Sequence, residues 1–333
     1  MPQTCIRKSL QTSPPQIISR TRNYILEIAN AMKKLWIKLL PLFLYPGLGY
    51  ACEGDCGNSP WALMDPKGPI AADEMHLILT AFGLMLIVVI PVIIMTFAFA
   101  WKYRAGNKEA SYTPKWDNSH TIEAIVWTIP AIIVLILSIL VWNSTHALTP
   151  EKPLTSATKP LVVEVVAMDW KWLFIYPEQG VATVNKLVIP TGTPVTFHIT
   201  SDSVMTSFFI PRLGGQIYAM AGMQTQLNLL ADKAGTYRGL NTQFSGEGFS
   251  GMNFEVDATS PEAFQSWLQE TKTVGQNLDN NRFKKLEEPT ENEKPAYYAS
   301  VESGLFQNIL QKYAMRQMSA SNENHARMMQ AQK

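Results

Sequence analysis

The chain has 333 residues, with 28 Lys and Arg against 27 Asp and Glu for a formal charge of +1. The length allows two domains, and the balanced charge excludes the basic face on which nucleic-acid binding rests. A hydrophobic fraction of 47% is that of an ordinary globular protein, but the apolar residues are clustered. Leu77–Trp101 and Ala124–Trp142 contain no Asp, Glu, Lys, Arg or His. Each run can cross a hydrocarbon core, which needs about 20 residues, so a purely soluble enzyme is disfavoured.

Taken in chain order, residues 32–51 read as a signal peptide. Lys33 and Lys34 supply the positive start, Leu39–Leu48 the apolar stretch, and Gly49, Tyr50 and Ala51 lead to Cys52. Residues 1–31 carry Arg7, Lys8, Arg20 and Arg22 against a single acid, Glu27. That is the composition of a transit-like extension or of a stretch translated from a start upstream of Met32; we favour the second. A small residue directly before Cys52 resembles the processing site of bacterial lipoproteins, which makes Cys52 the candidate for acylation. Cys56, preceded by Glu53, Gly54 and Asp55, is a poorer one.

Residues 52–76 form a polar segment ahead of the first span. The spans are expected at 77–101 and 123–143, joined by a loop at 102–122. Trp101, Tyr103 and Trp142 close them with the amphipathic rings that favour headgroups. The loop carries Lys102, Arg104, Lys108 and Lys115, whereas the segment before the first span has Lys67 against Asp65, Asp73 and Glu74. By the positive-inside rule the loop is cytoplasmic and both chain ends lie outside. Pro91 and Pro130 fall inside the spans, where membrane helices tolerate them. His120 and Glu123, at the start of the second span, read as interfacial side chains rather than as a proton relay.

Beyond Pro150, Pro153 and Pro160 the pattern turns to short β-rich runs: Leu161–Met168, Leu173–Tyr176, Val184–Ile189, Val195–Thr200, Gln224–Leu230 and Met252–Val256. Pro177, Gly180, Pro190, Gly192, Pro194 and Gly235 punctuate them. This spacing predicts a β-sandwich or Greek-key barrel over 160–258. Residues 259–333 are polar and helix-prone, with a first turn at Pro261, Glu262 and Ala263 followed by Phe264 and Trp267. Met318, His325, Met328 and Met329 near the end are too loosely spaced to argue for copper, and a solvated tail is the plainer reading.

The chemistry-bearing residues are sparse. Cys5, Cys52 and Cys56 all precede the first span, which excludes a Cys-ligated metal centre or a thiol nucleophile downstream. His76, His120, His146, His198 and His325 make no i,i+4 pair. No Ser-His-Asp arrangement, phosphate loop or zinc spacing is present.

Several long strings carry a specific resemblance. Leu79–Pro91, Val166–Trp172, Ser207–Leu213, Gln216–Met223 and Ser245–Met252, in that order, resemble subunit II of the cytochrome bo-type ubiquinol oxidases, in the haem-copper oxidase superfamily. The likeness covers about Asp65 to Trp267. It implies a membrane α-helical hairpin followed by an all-β cupredoxin-like domain, with a helical or disordered C-terminal tail. In relatives that oxidise cytochrome c, that domain holds a dinuclear copper centre on an upstream His and a C-x-E-x-C-x3-H-x2-M loop. Set against that motif, Thr206 stands at the upstream His, Asn241 and Ser245 at the two Cys, Gln243 at the Glu and Phe249 at the second His. Only Met252 is retained. Copper is held by soft thiolate and by imidazole, and these positions offer neither.

The resemblance further implies a non-catalytic subunit with no cofactor of its own. Haems and copper are expected in subunit I, with subunits I, III and IV as partners. The complex would oxidise ubiquinol, reduce oxygen to water and pump protons. Its expected place is the bacterial inner membrane, spanned twice, with the C-terminal domain in the periplasm. Trp170 stands where copper-containing relatives have an electron-entry aromatic and is read here as packing. Trp170, Trp172 and Arg212 are candidate subunit-interface or vestigial electron-entry residues, and Arg212 with the Gly214–Gly215 turn is expected to pack against the catalytic subunit. The alternatives are a copper-bearing cytochrome c oxidase subunit II, which the absent ligands oppose, and a stand-alone membrane-anchored binding module.

Overall fold

The computed structural model describes residues 62–107, 118–154 and 158–313. Two compact units divide the chain: one contains Phe82–Val126, the other Ala51–Ala81 and Trp127–Lys333. The readings for residues 1–31, for the signal stretch and for Cys52, and those for the Met-containing end, lie outside the described residues.

Two helices come first, α1 (Pro69–Lys102) and α2 (His120–Ala147), both long and apolar enough to cross a membrane. Most of their large apolar side chains face outward, Phe97, Trp101, Trp127 and Trp142 among them. Such a surface is stable in hydrocarbon and costly in water. Helix α1 begins well before the apolar run, so Asp73, Glu74 and His76, expected in a segment ahead of the span, sit within its opening turns. Helix α2 likewise overruns 123–143 at both ends. Pro91 and Pro130 leave each helix continuous.

The β-domain is a sandwich of two sheets. One has seven strands in the order β11-β12-β3-β2-β1-β5-β8, the other five in the order β4-β10-β9-β6-β7. These are β1 (Leu161–Met168), β2 (Lys171–Tyr176), β3 (Val181–Val184), β4 (Lys186–Pro190), β5 (Val195–Ser201), β6 (Thr206–Phe209), β7 (Ile217–Ala219), β8 (Thr225–Leu229), β9 (Gly235–Asn241), β10 (Asn253–Thr259), β11 (Gln276–Leu278) and β12 (Ala296–Val301). Three strand pairings are parallel, β1 with β5, β4 with β10 and β11 with β12, so the chain crosses over between these strands.

Alternation along β1 shows how the layers are built. Leu161, Val163, Val165 and Ala167 point into the space between the sheets, where Trp172, Phe174, Phe197, Phe208 and Phe254 join them. Phe208 and Phe254 stack with centroids 5.2 Å apart, and Trp172 meets both edge-on. Each such aromatic pair adds about 0.5–1.5 kcal/mol beyond its buried area. On the opposite face of β1, Val162 and Glu164 are half-exposed, yet Val166 and Met168 are buried. The alternation stops because the C-terminal segment covers that half of the sheet.

That covering layer revises the polar-tail reading over residues 259–313. Ser260 caps α3 (Pro261–Val274) by accepting from the Ala263 N–H, and Phe264 and Leu268 join the inter-sheet core. Next come β11, α4 (Asn280–Leu286), β12 and a helical stretch at 305–313. Leu278, Phe283, Leu305, Phe306 and Ile309 form a second core with Val166, Met168, Leu173 and Ile175. The helices are where the sequence suggests, but two strands and an apolar layer accompany them.

A further difference lies at Val184–Ile189, expected as one strand. The run is divided at Asn185, which has φ +53°. β3 lies in the seven-stranded sheet and β4 in the five-stranded one. Asn tolerates the left-handed region better than other non-glycine residues, so the chain changes sheets there.

Candidate functional site

The positions of the copper motif converge at one end of the sandwich. β9 ends at Asn241, a loop with a 3-10 turn at Glu247–Gly251 follows, and Met252 leads into β10. The Asn241 side chain is buried and used on both sides. Its Oδ1 accepts from the Ser207 N–H and the Gln243 N–H, each at 3.0 Å. Its Nδ2 donates to Ser245 Oγ at 3.1 Å and to Met252 Sδ at 3.3 Å. Ser245 Oγ also lies 3.9 Å from the same sulfur. One amide therefore ties β6, the loop and the start of β10 together.

The structure thus brings Asn241, Ser245 and Met252 into contact, with Gln243 contributing its backbone N–H. Thr206, at the start of β6, is fully buried, and its hydroxyl has no hydrogen-bond partner in the structure. Phe249 packs on Phe244 with ring centroids 5.7 Å apart. A dinuclear copper centre does not fit this donor set. The amide directs its N–H at the only sulfur, its oxygen is taken by two backbone donors, and no thiolate or imidazole is present. Among the described residues, no three His, Cys, Asp or Glu side chains are placed to hold a metal.

Trp170 closes the loop from the other side. Its φ is +63°, unusual for a bulky residue, and its Nε1 donates to the Ser245 carbonyl at 3.0 Å. The indole lies over Gly248, where a Cβ would sit 2.4 Å from the ring. Glycine is required there by close approach. The half-buried Trp170 therefore clamps the loop that carries the copper-motif positions.

Trp172 and Arg212 differ from the expectation that they face another subunit. Trp172 is completely buried in the inter-sheet core. Arg212 is 5% exposed and lies 3.6 Å from Asp65, and its carbonyl accepts from the Lys67 N–H at 2.8 Å. The Gly214–Gly215 turn meets Ile70 and Glu74 of this same chain, and a Cβ on Gly215 would stand 2.8 Å from Glu74 Oε1. Residues 210–215 thus hold the approach to α1.

Sequence reasoning missed Lys171 and Asn185. Lys171 is almost fully buried and donates to the Glu288 carbonyl at 2.8 Å. Burial pulls its pKa down, against the opposing charges of Glu293, Asp169 and Glu288. Asn185 accepts from the Trp172 N–H and donates to the Glu293 carbonyl, both at 2.8 Å. Together they pin residues 288–293 across the sheet. The signals were slight: Lys171 between two apolar runs and Asn185 within one.

Two helices able to span a bilayer, followed by a cupredoxin-like sandwich whose loop carries neither thiolate nor imidazole at the copper-motif positions, have the architecture of a subunit II of the haem-copper oxidase type. Residues 177–259 match the family model for the periplasmic domain of cytochrome c oxidase subunit II, and residues 272–317 match the COX aromatic-rich motif. The chain is 53% identical over 270 residues to cytochrome bo(3) ubiquinol oxidase subunit 2 of Pseudomonas putida, covering 81% of this chain and 85% of that one. It is 51% identical over 278 residues to the subunit of the same name from Pseudomonas aeruginosa, covering 84% and 81%. Ubiquinol oxidase subunit 2 of Acetobacter aceti is 53% identical over 253 residues, covering 75% and 82%. The chain belongs to the ubiquinol oxidase subunit 2 family.

Proposed function

We propose that this chain is the non-catalytic second subunit of a proton-pumping terminal oxidase that takes electrons from ubiquinol and reduces oxygen to water. The observation that carries the reading is the site where copper-bearing relatives receive electrons: here it is an amide, a hydroxyl and a thioether hydrogen-bonded to one another. A soluble one-electron donor has no acceptor in such a site. A quinol dissolved in the bilayer can deliver directly to a haem-bearing neighbour, so loss of the copper relay fits the ubiquinol named for the relatives.

In this reading haems and copper reside in subunit I, and subunits I, III and IV complete the complex. Helices α1 and α2 pack beside subunit I in the bacterial inner membrane, with the β-domain on its periplasmic side. Val204, Met205, Met223 and Phe244 stand exposed on the loops beside the copper-motif positions, a surface of the kind that partners cover. Cys52 is proposed as an acylated residue, to be sought as a lipid-modified N-terminal peptide by mass spectrometry.

Metal analysis and visible spectroscopy of the intact complex, purified through a tag on this chain, test the carrying observation. The expected result is no thiolate-to-copper absorption in the visible range and no copper beyond that of subunit I. A dinuclear thiolate–copper signal, with two further copper ions per complex, would overturn the reading.

A further inference from the structure

A charged cluster outside that site joins the end of the C-terminal layer to the sandwich. Asp202, in the turn after β5, has a side chain only 5% exposed. Its Oδ1 lies 3.0 Å from Lys312 Nζ, and the same ammonium lies 2.8 Å from Glu287 Oε1. The Tyr313 hydroxyl donates to the Asp202 carbonyl. Asp202 also donates its N–H to Ala167 of β1 at 2.8 Å, which fixes the carboxylate beneath the helical stretch at 305–313. Leu305, Phe306 and Ile309 of that stretch are buried on the sheet.

Two carboxylates share one ammonium, so the fully ionised cluster carries one negative charge too many, and the carboxylate with least access to water is Asp202. We propose that Asp202, Lys312 and Glu287 form a proton-operated clasp that holds residues 305–313 more tightly in acid and loosens as the pH rises toward neutrality. The inference is independent of the copper-motif loop and of the identity of the electron donor.

The direction follows from where the proton is better held. With the helix docked, burial first and then Glu287 raise the Asp202 pKa to about 6, against the opposing pull of Lys312. Burial works against the Lys312 charge too, but Glu287 and Asp202 hold its pKa above the usual lysine range, so it stays charged throughout. With the helix lifted away, Asp202 is solvated and returns toward the ordinary value of 3.8. A carboxyl whose pKa is raised in the docked state adds its full stabilisation below the undocked pKa. It loses that stabilisation as the pH rises through the docked one. The charged groups acting on Asp202 are Lys312 and Glu287.

Hydrogen–deuterium exchange of the intact detergent-purified complex, corrected for the intrinsic pH dependence of exchange, reads the docking of 305–313 directly. Protection of those amides is expected to fall about tenfold between pH 5 and pH 7.5, given a pKa near 6 docked and 3.8 free. Asp202→Asn, which keeps the shape and removes the titration, should give pH-independent protection. Glu287→Gln removes the competing carboxylate and should move the midpoint to lower pH. Protection that is flat with pH in the unsubstituted protein, or a dependence that persists in Asp202→Asn, would overturn the proposal. If Asp202→Asn failed to assemble, the midpoint in Glu287→Gln would still decide: an unmoved midpoint contradicts the shared ammonium.

Discussion

At the scale of single residues, Asn241 does with hydrogen bonds what a metal does with coordinate bonds. Four groups from three segments meet on its amide, and its removal leaves the buried Ser207 N–H without an acceptor. Asn241→Ala is expected to cost about 2–4 kcal/mol, since each stranded buried donor costs about 1–3 kcal/mol. Thermal unfolding checks this, and copper affinity should not appear as compensation. Trp170→Phe keeps most of the packing and loses the bond to the Ser245 carbonyl, so a loss of about 1 kcal/mol is expected. Ubiquinol-driven oxygen uptake should be unchanged; a large fall in uptake with intact assembly would mean the indole carries electrons. The copper-motif positions were legible only through the family resemblance. The use made of Asn241 was not, because it depends on the register of β6 against β9, and a sequence does not display register between strands far apart in the chain.

Elements tell a different story about legibility. β1 was readable to the residue because it is a β-branched run bounded by Pro160 and the turn at Asp169–Trp170. Val184, the last residue of β3, was joined to β4 because an apolar run does not say which sheet it enters; only Asn185, able to take φ +53°, marks the corner. β9 has two glycines and an arginine, a pattern that hides a strand whose Tyr237 is nonetheless buried. The C-terminal layer was read as polar because its apolar residues come in short groups separated by polar and charged stretches. Its weight is testable: Phe306→Ala, at a site 2% exposed, should cost about 3–5 kcal/mol as a large-to-small core change. It should also speed amide exchange across 305–313. Gly248→Ala forces its new methyl against Trp170 and should lower the unfolding midpoint by the equivalent of about 1–3 kcal/mol.

For the whole molecule, the sequence made the order of parts plain, since span length and the shift to period-two runs are properties of composition. How the second unit is secured was less visible. The chain approaching α1 is tied to the sandwich by Arg212, Asp65 and the paired backbone bonds of Lys67 to Arg212 and Asp232. Half of the outer face of the seven-stranded sheet is covered by the chain's own C-terminal layer. Large apolar side chains of α1 and α2 stand exposed, and among the described residues no three His, Cys, Asp or Glu side chains are grouped to hold a metal. As a member of the ubiquinol oxidase subunit 2 family, this chain is expected to work only within a quinol-oxidising complex. Oxygen uptake by material purified through a tag on this chain, driven either by ubiquinol or by reduced cytochrome c, tests it most directly. Uptake with ubiquinol alone, accompanied by haem absorption from a co-purifying subunit, is the predicted result. Uptake driven by cytochrome c, or a stable haem-free chain isolated without partners, would contradict it.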